Sequence, residues 1–302
     1  MKISIAMIVK NEQEMLERCL KTVKDADEIV VCDTGSTDKT IEIAQKYTDK
    51  VYTDFVWCDH FGKARQHSKD KCTGDWIITV DADERLMTDF THVREVIEQA
   101  DKEGHVFVNV HVRGEGTKSE NMFPRIYKNV PEVTWHGPAH NYLSYNGKLV
   151  GKSYNSDIVI EYGYSPAHKK DPDRTLRILR SAVKENPELV RERFYLAREY
   201  FYRKNWGMCL KNLDEYIPRS HFIGERNDAW MMKAYCYSGL KKYKEACESA
   251  LQALMYNANF KEALIFLSNH MDPVNKATWK KYADIADNTN VLFVRDVENA
   301  NK

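Results

Sequence analysis

No stretch of the 302-residue chain stays apolar for the roughly 20 residues that a membrane-spanning helix needs. The opening Met1-Lys2-Ile3-Ser4-Ile5-Ala6-Met7-Ile8-Val9-Lys10 holds only a short apolar run and no small-residue cleavage pattern, so it does not read as a secretory leader. Cys-x-x-Cys is absent. The seven cysteines (Cys19, Cys32, Cys58, Cys72, Cys209, Cys236 and Cys247) are an odd number, which excludes a fully paired disulfide framework. Several fall where apolar residues recur, so they read as small core residues in a reducing compartment, and a cytoplasmic protein is expected. Net charge is missing too, with 45 Lys+Arg against 45 Asp+Glu. The balance is not local: residues 1–165 hold 21 basic and 27 acidic residues, and the remainder holds 24 and 18. That split belongs either to two ordinary domain surfaces or to a basic half facing an acidic acceptor.

What is present is a 43% hydrophobic fraction with 30% charged residues, enough for buried cores in one large domain or two moderate ones. Ile3–Val9 is a short apolar run, read as a buried strand. Met15, Leu16, Cys19, Leu20 and Val23 then share a helical face, and Glu28–Cys32 is a second apolar run. Ser36 and Thr37 are placed to cap a helix whose inner face carries Ile41, Ala44 and Tyr47. Val51 opens a third strand, Phe61, Ala64 and Ser68 fit another helix, and Trp76–Val80 is a further strand. Strand–helix alternation of this kind predicts a mostly parallel sheet with helices on both faces. His105–Val112 and Asn121–Tyr127 add further strands. Beyond about Ser165 the helical period takes over. Segments beginning at Arg193 and Trp230 align 37 residues apart, close to the roughly 34-residue tetratricopeptide period. Ala246, Ala250 and Ala253 supply small residues for close helix packing, and Lys261–His270 with Ala277–Asp287 reads as a third helical pair.

Three features of the first half bear on chemistry. Asp33-Thr34-Gly35-Ser36-Thr37-Asp38 follows a strand end and precedes a helix. Ligands of open parallel sheets bind at the carboxyl ends of strands, where a glycine lets backbone approach and a helix start supplies free N–H groups. Asp33 there can accept hydrogen bonds from a base or a ribose, although the same residues also make an ordinary capped turn. Asp81-Ala82-Asp83-Glu84 crowds carboxylates that repel one another without a cation. In extended chain Asp81 and Asp83 point to the same side. This pattern suits Mg²⁺ or Mn²⁺, which also bind phosphates, or else a solvated acidic turn. Between the two motifs stands Arg65, a bidentate partner for a diphosphate.

Taken in order, Met7-Ile8-Val9-Lys10-Asn11-Glu12, the Asp33–Asp38 run, Ala64-Arg65, Gly74-Asp75-Trp76-Ile77 and Asp81–Glu84 resemble the family 2 glycosyltransferases. Within that family the chain is similar to a bacterial and phage branch that carries tetratricopeptide-like helices behind the catalytic domain and includes lipopolysaccharide-core and peptide S-glycosyltransferases. The resemblance implies an α/β, A-type glycosyltransferase fold, Rossmann-like with a mostly parallel sheet, over residues 1–165, and an all-α tetratricopeptide-like domain over 166–302. It further implies a metal-dependent, inverting transferase that moves a sugar from a UDP-sugar donor, with Mn²⁺ or Mg²⁺, to a glycan or peptide acceptor in preference to modified nucleic acid. Asn11 and Glu12 would lie near the nucleotide, Asp33 at the uracil or ribose, and Arg65 at the base or diphosphate. Asp83 would ligate the metal, and Asp81 would hold the ribose or a metal-bound water. Repeats of this type also pair with each other, which is compatible with a homodimer.

Two departures stand out. Phe123-Pro124-Arg125-Ile126-Tyr127 and Trp135-His136-Gly137-Pro138-Ala139-His140 look like the branch, but the branch places Glu directly after that His, and here Asn141 stands there. An amide cannot take up a proton, so the general base falls to His140, to Asp157 or to Glu161, unless His140 is a structural residue. In the run from Ile160 to Ser165 the branch carries a metal-completing His where this chain has Glu161, itself a competent ligand for a hard cation. Arg177, Arg180 and Lys184 share one helical face that is either solvated or turned to an anionic acceptor. Phe194, Tyr195, Tyr200, Phe201 and Tyr202 fit repeat cores as well as base stacking. Two other classes compete. A non-catalytic repeat scaffold is favoured by Asn141 and Glu161 and opposed by Asp33, Arg65, Asp81 and Asp83. A nucleotidyltransferase is opposed by Val9-Lys10-Asn11-Glu12, which is not a Gly-rich basic loop.

Overall fold

The computed structural model describes residues 1–117, 120–146, 153–163, 165–166 and 171–286. Tyr164, inside the Ile160–Ser165 run, and Asp287, which ends the third helical pair, lie outside the described residues. The chain divides into two compact units, Met1–Pro172 and Asp173–Lys302.

The first unit runs β1 (Ile3–Val9), α1 (Leu16–Val23), β2 (Glu28–Asp33), α2 (Thr40–Ala44), β3 (Val51–Tyr52), α3 (Phe61–Asp70), β4 (Trp76–Thr79), β5 (Glu84–Leu86), α4 (Phe90–Lys102), β6 (Phe107–Gly114), β7 (Glu120–Lys128), β8 (Val133–His136), β9 (Tyr142–Tyr145) and β10 (Ser153–Tyr162). Eight strands form one sheet in the order β3-β2-β1-β4-β7-β6-β10-β5, and β8 pairs with β9 in a separate hairpin. The first four are mutually parallel, the half expected from the strand–helix alternation. In the other half β7 is antiparallel to both β4 and β6, β10 is parallel to β6, and β5 is antiparallel to β10.

The alternation of β1 sets the two cores. Ile3, Ile5, Met7 and Val9 share one core with Leu16, Cys19, Leu20 and Val23 of α1 and Val93, Ile97 and Ala100 of α4. Ala6 belongs to the other, with Val30, Cys32, Ile77, Tyr127, Val133 and Leu143. Strands covered on both faces read as near-continuous apolar runs, which is why β1 and β2 stand out in the sequence. Ser36 and Thr37 do not cap α2, which begins after Lys39 without a side-chain cap. Both residues are instead bonded to the loop that follows β1.

In the second unit seven helices fall among the described residues: α5 (Arg174–Glu185), α6 (Val190–Tyr202), α7 (Trp206–Tyr216), α8 (Ile223–Gly239), α9 (Tyr243–Tyr256), α10 (Lys261–His270) and α11 (Pro273–Ile285). Each packs on the next in sequence. The two aligned segments fall in α6 and α8, the first helices of the pairs α6–α7 and α8–α9. Ala246, Ala250 and Ala253 are fully buried in one cluster with Met231, Ala234, Phe260 and Leu267. The last helix starts at Pro273 rather than near Ala277, because Asp272 accepts hydrogen bonds from the Val274 and Asn275 N–H groups and proline suits a helical first turn. Arg177, Arg180 and Lys184 are exposed, and Phe194, Tyr195, Tyr200 and Phe201 are buried in the repeat cores. All seven cysteines are free thiols, and only Cys58 is exposed. Among the described residues no helix is long and apolar enough to cross a membrane.

Candidate functional site

The loops after β1 and β2 are laced together at the carboxyl ends of the parallel strands. Asn11 adopts a left-handed conformation (φ 56°), which Asn tolerates better than most residues. Its N–H donates to Ser36 Oγ at 2.8 Å, and its Oδ1 accepts from the Thr37 N–H at 2.7 Å. The Glu12 N–H donates to Thr40 Oγ1, and the Glu12 carboxylate accepts from Ser165 Oγ at 2.7 Å. Asp33 is buried at the end of β2. Gly35, at φ 108°, turns the chain so that its own N–H and that of Ser36 both reach Asp33 Oδ1, at 2.8 and 2.9 Å. Oδ2 is buried with no hydrogen-bond partner. A buried carboxylate oxygen left in that state is costly unless a ligand donor meets it.

α3 brings Arg65 to the same strand ends. Arg65 is buried, and its Nη2 donates to both Asp81 oxygens at 2.8 and 3.0 Å. The guanidinium lies 5.3 Å from the centre of the Trp135 ring, within cation–π range. Nε and Nη1 are buried without partners. The helix can approach the hairpin this closely because position 62 is glycine: a Cβ there would sit 2.7 Å from Gly137 O and 2.8 Å from the His136 carbonyl carbon. The Phe61 and Gly62 N–H groups donate to the Pro138 and Gly137 carbonyls at 2.9 and 3.0 Å.

Asp81 to Glu84 is a closed turn and not the extended segment that would place Asp81 and Asp83 on one side. The Glu84 N–H donates to Asp81 O at 2.9 Å, and the Asp81 N–H donates to Glu84 Oε2 at 2.8 Å. Arg125, from β7, donates to Glu84 Oε1 at 2.5 Å and stands 3.6 Å from Asp81 Oδ2. Burial pushes the Glu84 carboxyl up, against the pull of Arg125, and Asp81 adds to the rise. Burial opposes the charge on Arg125, but Glu84 and Asp81 outweigh it and hold the guanidinium above its ordinary value. The Cys19 thiol, which contacts the Asp81 carbonyl, is raised well above its usual range by burial and then by the three acidic neighbours Glu84, Asp81 and Asp83.

Asn11, Glu12, Asp33, Arg65, Asp81 and Asp83 thus all lie at the carboxyl ends of β1, β2 and β4 or on the helix that reaches them. His140 sits in the β8–β9 loop, half-buried at φ 48°, beyond the Gly137–Pro138 segment on which α3 rests. Glu161 lies at the carboxyl end of β10 opposite Arg85, and its carboxylate is bound by Arg85 Nη2 and by Arg113 Nε. Asp157 is not brought to this region. It stands four residues earlier, about 13 Å back along the strand, exposed and paired with His92 Nε2 at 2.9 Å. That pair holds the Asp157 carboxyl below its ordinary value. Glu84, Arg125 and Trp135 were given no role by the sequence reading. Glu84, third after Asp81, was the one signal within the motif, whereas Arg125 comes from 41 residues away.

Among the described residues no group of three or more His, Cys, Asp or Glu side chains is arranged to hold an ion. Asp81 is engaged by Arg65 and Arg125, and Glu161 by Arg85 and Arg113. An all-protein cage therefore does not fit. A sparser mode does fit, with one or two carboxylates and the oxygens of a diphosphate around the ion. Asp83 stands in the same turn, half-buried, with its carbonyl bonded by the Gly163 N–H at 2.8 Å.

The family model described as glycosyl transferase family 2 matches residues 4–155. A TPR repeat-containing protein of Synechococcus elongatus is 36% identical over 142 residues, which are 46% of this chain and 34% of that protein. An uncharacterized glycosyltransferase of Rickettsia bellii is 42% identical over 86 residues, 28% of this chain and 29% of that one. The chain spans about a third of the length of these curated relatives. Among solved structures, S. aureus TarS 1-349 in complex with UDP-GlcNAc superposes with a TM-score of 0.52 at 12% identity, covering 85% of this chain and 92% of that one. At that identity the likeness is one of fold.

Proposed function

The chain belongs to glycosyl transferase family 2, and on that premise we propose that its first unit transfers a sugar from a UDP-sugar to a glycan or peptide acceptor. One observation carries the reading: Asp33 Oδ2 and Arg65 Nε and Nη1 are buried at the strand ends with no partner in the protein. An acceptor atom and two cationic donors left without hydrogen bonds suit a ligand with its own N–H or hydroxyl donor and an anionic diphosphate. Asp33 accepts from the uracil or the ribose. Arg65, anchored on Asp81, turns its remaining N–H groups to the base or the diphosphate. Asp83 would hold Mn²⁺ or Mg²⁺, which when bound would supply Lewis-acid compensation for the charge that builds on the departing nucleoside diphosphate. A direct displacement with inversion needs a base on the acceptor side. His140 takes that part, Asn141 being unable to accept a proton and Asp157 being committed to His92. The superposition on a UDP-GlcNAc complex supports a uridine nucleotide as the donor handle.

The test is slow hydrolysis of a panel of nucleotide-sugars, read as released nucleoside diphosphate, with Mn²⁺, with Mg²⁺ and with chelator. Metal-dependent release of UDP from one donor is expected. The competing reading, a repeat scaffold with a degenerate catalytic unit, draws on Asn141 and on the arginine-bound Glu161. It would take over if no donor were hydrolysed and no metal-dependent UDP binding were found.

A further inference from the structure

β7 is not a regular strand. Its pairing with β6 sets Ile126 opposite Val108 and Pro124 opposite Asn109, so Arg125 is an extra, unpaired residue. This is a β-bulge, and its sequence suits one: Pro124 has no N–H to give to a ladder, and bulges and edges are where strands tolerate proline. A bulge re-aims one side chain out of the strict alternation of the pleat. Here the re-aimed side chain is Arg125, which is carried across to the turn after β4. Its Nη2 meets Glu84 Oε1 at 2.5 Å and its Nη1 lies 3.6 Å from Asp81 Oδ2. The arginine side chain is 18% exposed and that of Glu84 4%. The other Glu84 oxygen accepts the Asp81 N–H. Arg125 and Glu84 therefore grip Asp81 by its main chain and its carboxylate together, while Arg65 holds the same carboxylate from the opposite element.

We propose that Arg125, presented by the β7 bulge and braced by Glu84, is a positioning residue for sugar transfer. It touches neither donor nor acceptor. It fixes the Asp81–Glu84 turn, and through Asp81 it fixes the direction in which Arg65 aims its unpartnered Nε and Nη1. The proposal rests on the donor-site reading above, because it assigns Arg125 a task only if Arg65 and Asp83 face a donor. Both partners are needed, since a buried guanidinium without its carboxylate, or the reverse, leaves an uncompensated charge. Small displacements of groups that orient a reacting bond cost about 100-fold in rate.

The experiment compares the wild-type chain with Arg125→Gln, Arg125→Lys and Glu84→Gln. It reads UDP-binding stoichiometry and Kd by calorimetry, and kcat and KM for the hydrolysed donor, all with Mn²⁺ present. The expected result is an unchanged stoichiometry with UDP Kd weakened by no more than about 10-fold, because Arg65 keeps its own bonds to Asp81. Donor kcat should fall about 100-fold in Arg125→Gln and in Glu84→Gln, with Arg125→Lys in between. A double variant, Arg125→Gln with Glu84→Gln, should lose no more than the worse single one, because the two residues act as one unit. A kcat within about 3-fold of wild type in Arg125→Gln or Glu84→Gln would overturn the proposal. So would loss of UDP stoichiometry in both, which would make the pair a structural tie of the fold. A wild-type chain that hydrolyses no donor and shows no metal-dependent UDP binding would remove the donor-site reading, and this proposal with it, whereas an active wild type matched by Arg125→Gln removes this proposal alone.

Discussion

Replacing Gly62 by alanine tests whether the contact between α3 and the β8–β9 hairpin sets the geometry of the site. Gly62 is the second residue of α3, three positions before Arg65, and the backbone it touches leads in three residues from Gly137 to His140. A Cβ at position 62 would meet three backbone atoms at 2.7, 2.8 and 2.9 Å, and reaching the 3.4 Å of ordinary contact requires a retreat of about 0.7 Å. No flexible side chain is there to yield, so the helix and the loop must part, stretching the Phe61 and Gly62 hydrogen bonds to the Pro138 and Gly137 carbonyls. Overpacking of this kind costs about 1–3 kcal/mol. Alanine returns up to about 1 kcal/mol through helix propensity. The net is a loss of about 0–3 kcal/mol, and at its midpoint of about 1.5 kcal/mol a Tm lower by about 3–6 °C. Because the shift separates Arg65 from the His140 loop, donor turnover should fall about 10- to 100-fold. The assay is a thermal melt beside UDP release. Gly207→Ala is the control: it sits in α7 with nothing within 4 Å of the added Cβ, so it keeps the propensity gain without the clash. A Gly62→Ala protein as stable and as active as wild type would refute the reasoning.

Asp83→Ala is expected to lower metal-dependent UDP release by at least about 100-fold with little change in Tm, and full activity would remove Asp83 from the metal role. Asp33→Asn turns an unpartnered acceptor into an amide and should weaken UDP binding about 10-fold by calorimetry; equal affinity would show that Oδ2 does not meet the nucleotide. Asp157→Asn breaks an exposed pair with His92 and should leave kcat within about 2-fold, whereas a large loss would return Asp157 to the list of bases. Glu28 is buried, and although burial alone would raise its carboxyl, hydrogen bonds from Lys50, Ser4 and Thr73 hold it far below its ordinary value. A depressed acid stabilises above its unfolded pKa of about 4.3 and loses that contribution as pH falls. Urea melts from pH 6 down to pH 3 should therefore decline more steeply for wild type than for Glu28→Gln, and parallel curves would contradict the assignment.

The parallel half of the sheet was legible because its strands are buried on both faces and read as unbroken apolar runs. The repeats were legible through their period and their small residues, Ala246, Ala250 and Ala253, all fully buried. β5 was not, since Glu84-Arg85-Leu86 carries two charges in three residues and has no strand signature; it forms because β10 offers an open edge. The cap assigned to Ser36 and Thr37 failed because tertiary partners at Asn11 took up their groups. At the site, residues adjacent in sequence to a motif were visible, as with Asp33, Arg65, Asp81 and Asp83. Residues delivered by pairing were not. Arg125 reaches Glu84 only through a bulge whose existence depends on the register of β6 against β7. The fates of Asp157 and Glu161 were equally invisible, because each is decided by a cation from another element: His92, Arg85 or Arg113.

The order of the sheet carries a consequence for the Asp81–Glu84 turn itself. β4 is fourth in the sheet and β5 is eighth, yet only residues 80–83 join them. In a flat sheet four strand spacings would be about 19 Å, while the five steps from Thr79 to Glu84 reach at most about 18 Å fully drawn out, and part of that length is folded into a turn. The sheet must therefore curl until its last strand comes back towards its middle, with the acidic turn as the drawstring. The length of the segment then matters to the fold alongside its chemistry. A residue added between Thr79 and Glu84 would slacken the curl and let the far edge drift, even with every carboxylate kept.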